Sequence, residues 1–321
     1  MTTELLHIPI QRTWEQAIPI IVPVGPDHDP RSAINSSLRA TSEAVQRTDT
    51  MHVVVFNGAR EPAITPDDLI KELSDTTAEF AVAIIPEDVG YVRAVQEGLG
   101  ITARLDTRQD LVGFLDADAV LRGTAHWAFL EQALTTEPTL DAISGMVIHE
   151  QCKLWETPSS QKFIRVLERA GSVVNKPYIQ GGAGGTLARR PAFEQAVNTA
   201  LNLGTLIGPS LSACALAAGR AVRATSHLPC SHTPRKTLGE WLDSVTAYEK
   251  SWRRLLALYG TDIERPWREF LHNAEEQVSS DPCLSSDFAD CQVLRQLVVD
   301  RVEQEHRCIS SKVESPLTAN I

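Results

Sequence analysis

The stretch Val112-Gly113-Phe114-Leu115-Asp116-Ala117-Asp118-Ala119-Val120 decides the fold. An apolar run of the right length for one buried strand ends in two carboxylates a single residue apart. Side chains alternate along an extended backbone, but where the strand stops and the chain turns, both acids can enter one cleft. Carboxylate oxygens suit a hard divalent cation such as Mg2+ or Mn2+. A metal held by few protein ligands keeps positions open that a diphosphate can fill. The residues therefore point to metal-assisted transfer on a phosphate-bearing substrate.

Outward from this strand the chain alternates short β-like runs with longer stretches of helical spacing. Pro19-Ile20-Ile21-Val22-Pro23-Val24 stops at Gly25-Pro26-Asp27, and Ile34, Leu38 and Val45 then fall near one face of a helix starting around Pro30. His52-Val53-Val54-Val55-Phe56 is a second strand, stopped by Asn57-Gly58. Phe80-Ala81-Val82-Ala83-Ile84-Ile85 is a third, followed by a helix over 90–99 that Gly100 is expected to close. The strand over 111–115 is the fourth. This rhythm predicts an α/β protein built of βαβ units around a mainly parallel sheet flanked by helices. Ligands of open α/β sheets bind beyond the carboxyl ends of the strands, which is where the two acids lie.

Past the acids a helix is expected over 124–134 and a strand over 141–148. A less regular region then leads to Gly181-Gly182-Ala183-Gly184-Gly185. Such a run either lets backbone approach a ligand closely or forms a sharp turn that needs positive φ. After about residue 237 only helices are expected, over 238–258, 266–278 and 285–306. Trp241, Leu242, Val245, Tyr248, Trp252 and Leu255 are the core-facing candidates of the first, and the tail after Lys312 reads as loose.

Composition narrows the function. With 43% apolar and 22% charged residues in 321, the chain has the balance of an ordinary soluble enzyme. A formal charge of −11 opposes adhesion to nucleic acid, which needs a basic face. No apolar stretch approaches the ~20 residues of a membrane span, and the N-terminus lacks a basic, hydrophobic signal region. A cytoplasmic location is expected. The cysteines at 152, 214, 230, 283, 291 and 308 show no zinc-type spacing and read as reduced, packed thiols.

The sequence resembles the inverting, nucleotide-sugar-dependent glycosyltransferases of family 2, which have the GT-A fold. The segments Ile20-Ile21-Val22-Pro23-Val24-Gly25-Pro26-Asp27, Val53-Val54-Val55-Phe56-Asn57-Gly58, the run from Gly90 to Leu99, and Phe114-Leu115-Asp116-Ala117-Asp118 match family segments in order. The last is similar to the family's Asp-X-Asp signature. Downstream, Gly182 to Phe193 resembles the glycine-containing acceptor segment followed by Arg189-Arg190, and His232 fits a late histidine that completes the metal site in some members.

The resemblance implies a hexosyltransferase with Mn2+ or Mg2+ as cofactor and a UDP-sugar as default donor. A small-molecule or glycan acceptor is preferred over a lipid. In donor binding it implies Pro23, Val24, Gly25, Asp27, Asn57, Arg93, Asp116 and Ala117. Asp118 and His232 hold the cation, Asp116 reaches the ribose or donor sugar, and Arg93 or Lys176 assists the leaving group. Gly181, Gly182, Ala183 and Trp155 are the acceptor-side candidates, while His126 reads as structural. The implied organisation is an N-terminal extension (1–17), a nucleotide-sugar half (18–122), an acceptor half (123–236) and a helical C-terminal extension (237–321); assembly into a homo-oligomer is left open.

Two departures stand out. Phe56 and Asn57 stand where the family has two aspartates. Ile207-Gly208-Pro209-Ser210 replaces the Glu-Asp pair whose aspartate deprotonates the acceptor. Neither glycine nor proline takes a proton, so Glu150 becomes the first substitute base and Asp243 the second; otherwise the reaction retains configuration. Two alternatives compete: a nucleotide-sugar-binding protein impaired in turnover, and a haloacid dehalogenase-type phosphatase with Asp116 as nucleophile.

Overall fold

β2 (Ile18–Val24) and β3 (Thr50–Asn57) are buried at every residue, as strands covered by helices on both faces must be. The computed structural model describes residues 3–7, 15–26, 28–42, 49–58, 64–74, 79–105, 107–123, 125–149, 181–232 and 238–265. β2 and β3 pair in parallel from Ile18↔Thr50 to Val24↔Phe56. β4 (Glu79–Ile85) continues this set on β3, and β5 (Leu111–Phe114) on β2. Among the described residues the sheet has nine strands; with β1 (Glu4–His7), β6 (Ala119–Leu121), β7 (Leu140–His149), β8 (Thr186–Arg189) and β9 (Ala221–His232) the order is β1-β4-β3-β2-β5-β8-β7-β9-β6.

The expected parallel sheet is thus the inner set β4-β3-β2-β5, and beyond it the sheet is mixed. β8 (Thr186–Arg189) runs antiparallel to both β5 and β7 (Leu140–His149). β9 (Ala221–His232) lies parallel to β7, and β6 (Ala119–Leu121) antiparallel to β9. β1 (Glu4–His7) caps the far edge antiparallel to β4, so the N-terminal segment is part of the sheet. β1, β6 and β8 have four residues or fewer, too few for an alternation to be read from sequence.

Among the described residues the helices are α1 (Arg31–Ser42), α2 (Pro66–Ser74), α3 (Tyr91–Thr102), α4 (His126–Thr136), α5 (Arg190–Leu203), α6 (Ile207–Ala217) and α7 (Leu238–Tyr259). α3 does not stop at Gly100. Ile101 and Thr102 are buried beyond it, and their packing outweighs the ~1 kcal/mol that glycine costs inside a helix. Alternate residues of β2 feed the two sides of the sheet. Ile20 and Val22 join Phe56, Leu115, Trp127 and Leu130 on one side; Ile21 joins Val112, Phe114, Phe193, Val197 and Leu211 on the other.

α7 is anchored on α6 through Trp252, Leu255 and Ile263, which cluster with Ala213. The Leu206 N–H donates to Ser251 Oγ at 3.0 Å, and Arg254 Nη1 donates to the Leu203 and Gly204 carbonyls. The helices expected over 266–278 and 285–306 lie outside the described residues. Among the described residues no single helix is long and apolar enough to cross a membrane.

Candidate active site

Asp116 and Asp118 sit in a tight turn at the carboxyl end of β5. The Leu115 N–H continues the ladder to the Ile21 carbonyl at 3.0 Å, and the Asp116 N–H then leaves it for the Gly182 carbonyl at 3.1 Å. The turn closes when the Ala119 N–H donates back to Asp116 O at 3.0 Å. From Ala119 the chain pairs with the end of β9 in a register that sets Ala119 opposite His232. Strand pairing therefore delivers the imidazole to the acids: His232 Nε2 lies 3.0 Å from Asp118 Oδ1 and 3.9 Å from Asp116 Oδ2. One ligand atom from each of the three side chains lies within 4.8 Å of the others. Their side chains are 12–19% exposed, which leaves them reachable from the cleft while water is partly excluded. Two carboxylates and an imidazole form a donor set that Mn2+ takes readily and that Mg2+ tolerates.

The triad lines a cleft of about 740 Å³. Pro23, Val24 and Gly25 from the end of β2 line it, as do Asn57 from β3 and Ala117 between the acids. The departure at Asn57 resolves locally. Asn57 Nδ2 donates to Asp88 Oδ1 at 2.9 Å, and Asn57 Oδ1 accepts from the Val89 N–H at 3.0 Å. The amide thus fastens the loop after β4 and brings the Asp88 carboxylate into the cleft wall. Gly58 allows this closeness, since a Cβ there would sit 2.7 Å from Asp88 Cβ.

Tyr91, at the start of α3, donates its hydroxyl to Asp116 Oδ1, while its ring packs toward Phe114 with centroids 5.9 Å apart. Although 41% of Tyr91 is exposed, its hydroxyl end is enclosed. Burial, and then the charge of Asp116, push the phenol well above its usual value, so it remains a donor to the carboxylate. Asp88 and Tyr91 were missed in the sequence, although both follow the carboxyl end of β4, where the strand-end rule directs attention.

The glycine run forms a 3-10 turn, Gly181–Gly184. Gly181 lines the cleft, whereas Gly182 backs the acids: a Cβ there would lie 2.3 Å from Asp116 Oδ1 and 2.7 Å from its backbone nitrogen. Positive φ at Gly181 (+74) and Gly185 (+59) fits the sharp turn expected of the run. Gly185, at φ +59, gives its carbonyl to His126 Nε2 at 2.8 Å, and His126 is structural. Ala183 is half-buried and is not among the residues lining the cleft. Arg93 bonds Gln96 at 3.0 Å and also lies off the cleft lining. Arg189 and Arg190 bind backbone carbonyls of the scaffold. Asp27, Glu150, Trp155 and Lys176 lie outside the described residues.

The cleft wall opposite the parallel strands comes from α6 and α7. Gly208 and Pro209 open α6, where proline is at ease in the first turn, and Leu206, Ile207 and Gly208 face the cleft. α7 adds Glu240, Asp243, Ser244, Ala247 and Tyr248. These fall at i, i+3, i+4, i+7 and i+8, one stripe of a helix. Tyr248, expected in the core, is instead part of the cleft wall.

No family model matches the sequence, and no curated protein matches it. Among solved structures the chain is similar to the mannosyltransferase PcManGT from Pyrobaculum calidifontis in complex with GDP-Man and Mn2+. The TM-score is 0.57 at 15% identity, over 96% of this chain and 84% of that one. Looser likenesses are to a mycobacterial protein, at TM-score 0.45 and 17% identity over 76% of this chain and 75% of that one, and to glucosyl-3-phosphoglycerate synthase from Mycobacterium tuberculosis in complex with Mg2+ and UDP. The latter has TM-score 0.43 and 18% identity over 76% of this chain and 80% of that one. The fold is that of the GT-A glycosyltransferases.

Proposed function

We propose that this protein is a metal-dependent glycosyltransferase that moves a sugar from a nucleoside-diphosphate donor to an acceptor hydroxyl. The observation that carries the reading is the Asp116–Asp118–His232 triad at the cleft end of a GT-A sheet. Charge supports it. The described lining carries Asp88, Asp116, Asp118, Glu240 and Asp243, but no lysine or arginine. A diphosphate enters such a wall only with a counter-charge. A divalent cation, when bound, supplies it and offsets the charge that develops on the departing diphosphate.

In this reading Asp118 and His232 hold the cation, and Asp116, fixed by the Tyr91 hydroxyl, faces the same point. The Gly181 backbone keeps the approach to the acids narrow, while Asp88 and Asn57 face the nucleoside end. UDP-hexose is our default donor. PcManGT, solved with GDP-Man and Mn2+, supports testing guanosine donors beside it. We assign the reaction to the cytoplasm, which the buried free thiols of Cys214 and Cys230 support.

A thermal-shift screen of UDP- and GDP-sugars with and without Mn2+ tests the proposal, since a ligand that binds only the folded state raises its melting temperature. Selective stabilisation that needs the metal is expected; no stabilisation by any nucleotide sugar contradicts it. A second reading, binding without turnover, has one observation in its favour: the opening turn of α6 offers no side-chain proton acceptor. Metal-dependent binding without any release of sugar from the donor would favour that reading.

A further inference from the structure

The base missing from α6 has a counterpart on α7. The carboxylates that line the described cleft come from three places. Asp88 is engaged by Asn57 and by the Gly90 N–H at 2.9 Å. Asp116 and Asp118 converge on His232, with Tyr91 on Asp116. Glu240 and Asp243 reach the cleft from α7, beside the wall that Leu206, Ile207 and Gly208 form. This third set enters the cleft from the helical wall.

Position along α7 separates the two acids. Tyr248 is within electrostatic reach of Tyr91, whose hydroxyl bonds Asp116, so the Tyr248 end of the stripe marks the approach to the triad. At about 1.5 Å rise per residue, Asp243 lies ~7.5 Å back along the axis from Tyr248 and Glu240 ~12 Å back. Asp243 is the nearer to the reacting region, and the Trp252 and Leu255 anchor on α6 holds the helix in place.

We propose that Asp243 is the catalytic base of the transfer. The inference rests on the transferase reading above. The bond from the sugar C1 to the diphosphate oxygen breaks, and its electron pair leaves with the diphosphate. The acceptor oxygen bonds C1, and its proton passes to the Asp243 carboxylate. A base stationed for the attacking oxygen goes with direct displacement, so the product has the inverted configuration.

The test uses the full chain with Mn2+, UDP-glucose and GDP-mannose as donors, and water as the acceptor that is always present. Asp243→Asn is expected to lower the kcat of donor hydrolysis by about 100-fold or more, with donor KM and melting temperature little changed. Azide, a nucleophile with no proton to lose, is expected to restore turnover in that variant and yield the β-glycosyl azide. A merely structural role is not rescued in this way. Proton NMR of the wild-type reaction is expected to show the β-sugar first from the α-linked donor. Wild-type turnover in Asp243→Asn, release of the α-sugar, or a wild-type protein that binds donor without consuming it overturns the proposal while leaving donor binding intact. Failure of both donors to bind with Mn2+ overturns the transferase reading with it.

Discussion

Gly182 shows how tightly the acids are held. Its Cα hydrogens face Asp116, and its carbonyl accepts the Asp116 N–H. Gly182→Ala would put a methyl 2.7 Å from a backbone nitrogen and 2.3 Å from the carboxylate, and the backbone contact has no side chain to rotate away. The expected outcome is a folded protein whose Mn2+-dependent nucleotide affinity falls by about 10-fold or more, the scale of losing an outer partner of a metal ligand, measured by calorimetry. Unchanged affinity would mean that Asp116 is not held from behind. At this scale the sequence disclosed the acids and His232, because a pair of aspartates at a strand end and a late histidine are chemically conspicuous. Asp88 was hidden because it acts through Asn57, a contact between the end of β3 and the loop after β4 that no local pattern records.

Elements read well where burial makes the pattern simple. β2, β3 and β4 are apolar runs covered on both faces, and all three are visible in the sequence. β9 runs through twelve residues, and its register shifts against β7 between Gly145 and Met146. Helix packing also buries two histidines. His52 on β3 shares a 2.7 Å hydrogen bond with Ser37 of α1, which in turn accepts from Trp127 Nε1 of α4 at 2.8 Å. His126 on α4 holds Gly185. Burial pushes both imidazoles from 6.5 down to about 4. As pH falls through 6.5 the unfolded chain takes up these protons, whereas the folded one does so only near 4. The stability they contribute is full above pH 6.5 and is lost between 6.5 and 4, at up to about 1.4 kcal/mol per pH unit for each. Urea unfolding at pH 7 and pH 5 should show this loss, and His52→Asn should reduce the slope; equal stability at the two pH values would contradict it.

Across the whole molecule the cleft is assembled from both ends of the described chain. The strand ends before residue 120 supply part of its wall, and α7 supplies another part. α7 itself is visible in the sequence, but its stripe could not be assigned to a cleft because the wall it meets, α6, lies on another element. Trp252→Ala removes the largest side chain joining α7 to α6. It is expected to cost about 3 kcal/mol of stability and to lower donor hydrolysis at temperatures where the protein remains folded. Chemical denaturation and a hydrolysis assay check the two effects, and normal turnover with lowered stability would detach α7 from the chemistry.

The central claim is that Asp118 and His232 grip a cation that brings a nucleoside diphosphate into the cleft. Calorimetric titration of UDP and GDP into wild-type protein with Mn2+, and into Asp118→Asn/His232→Gln protein of unchanged melting temperature, tests it directly. The account predicts metal-dependent binding of one nucleotide to the wild type and a loss of more than about 100-fold in the variant, beyond what outer partners of a metal are worth. Equal metal-dependent binding by both proteins would contradict it.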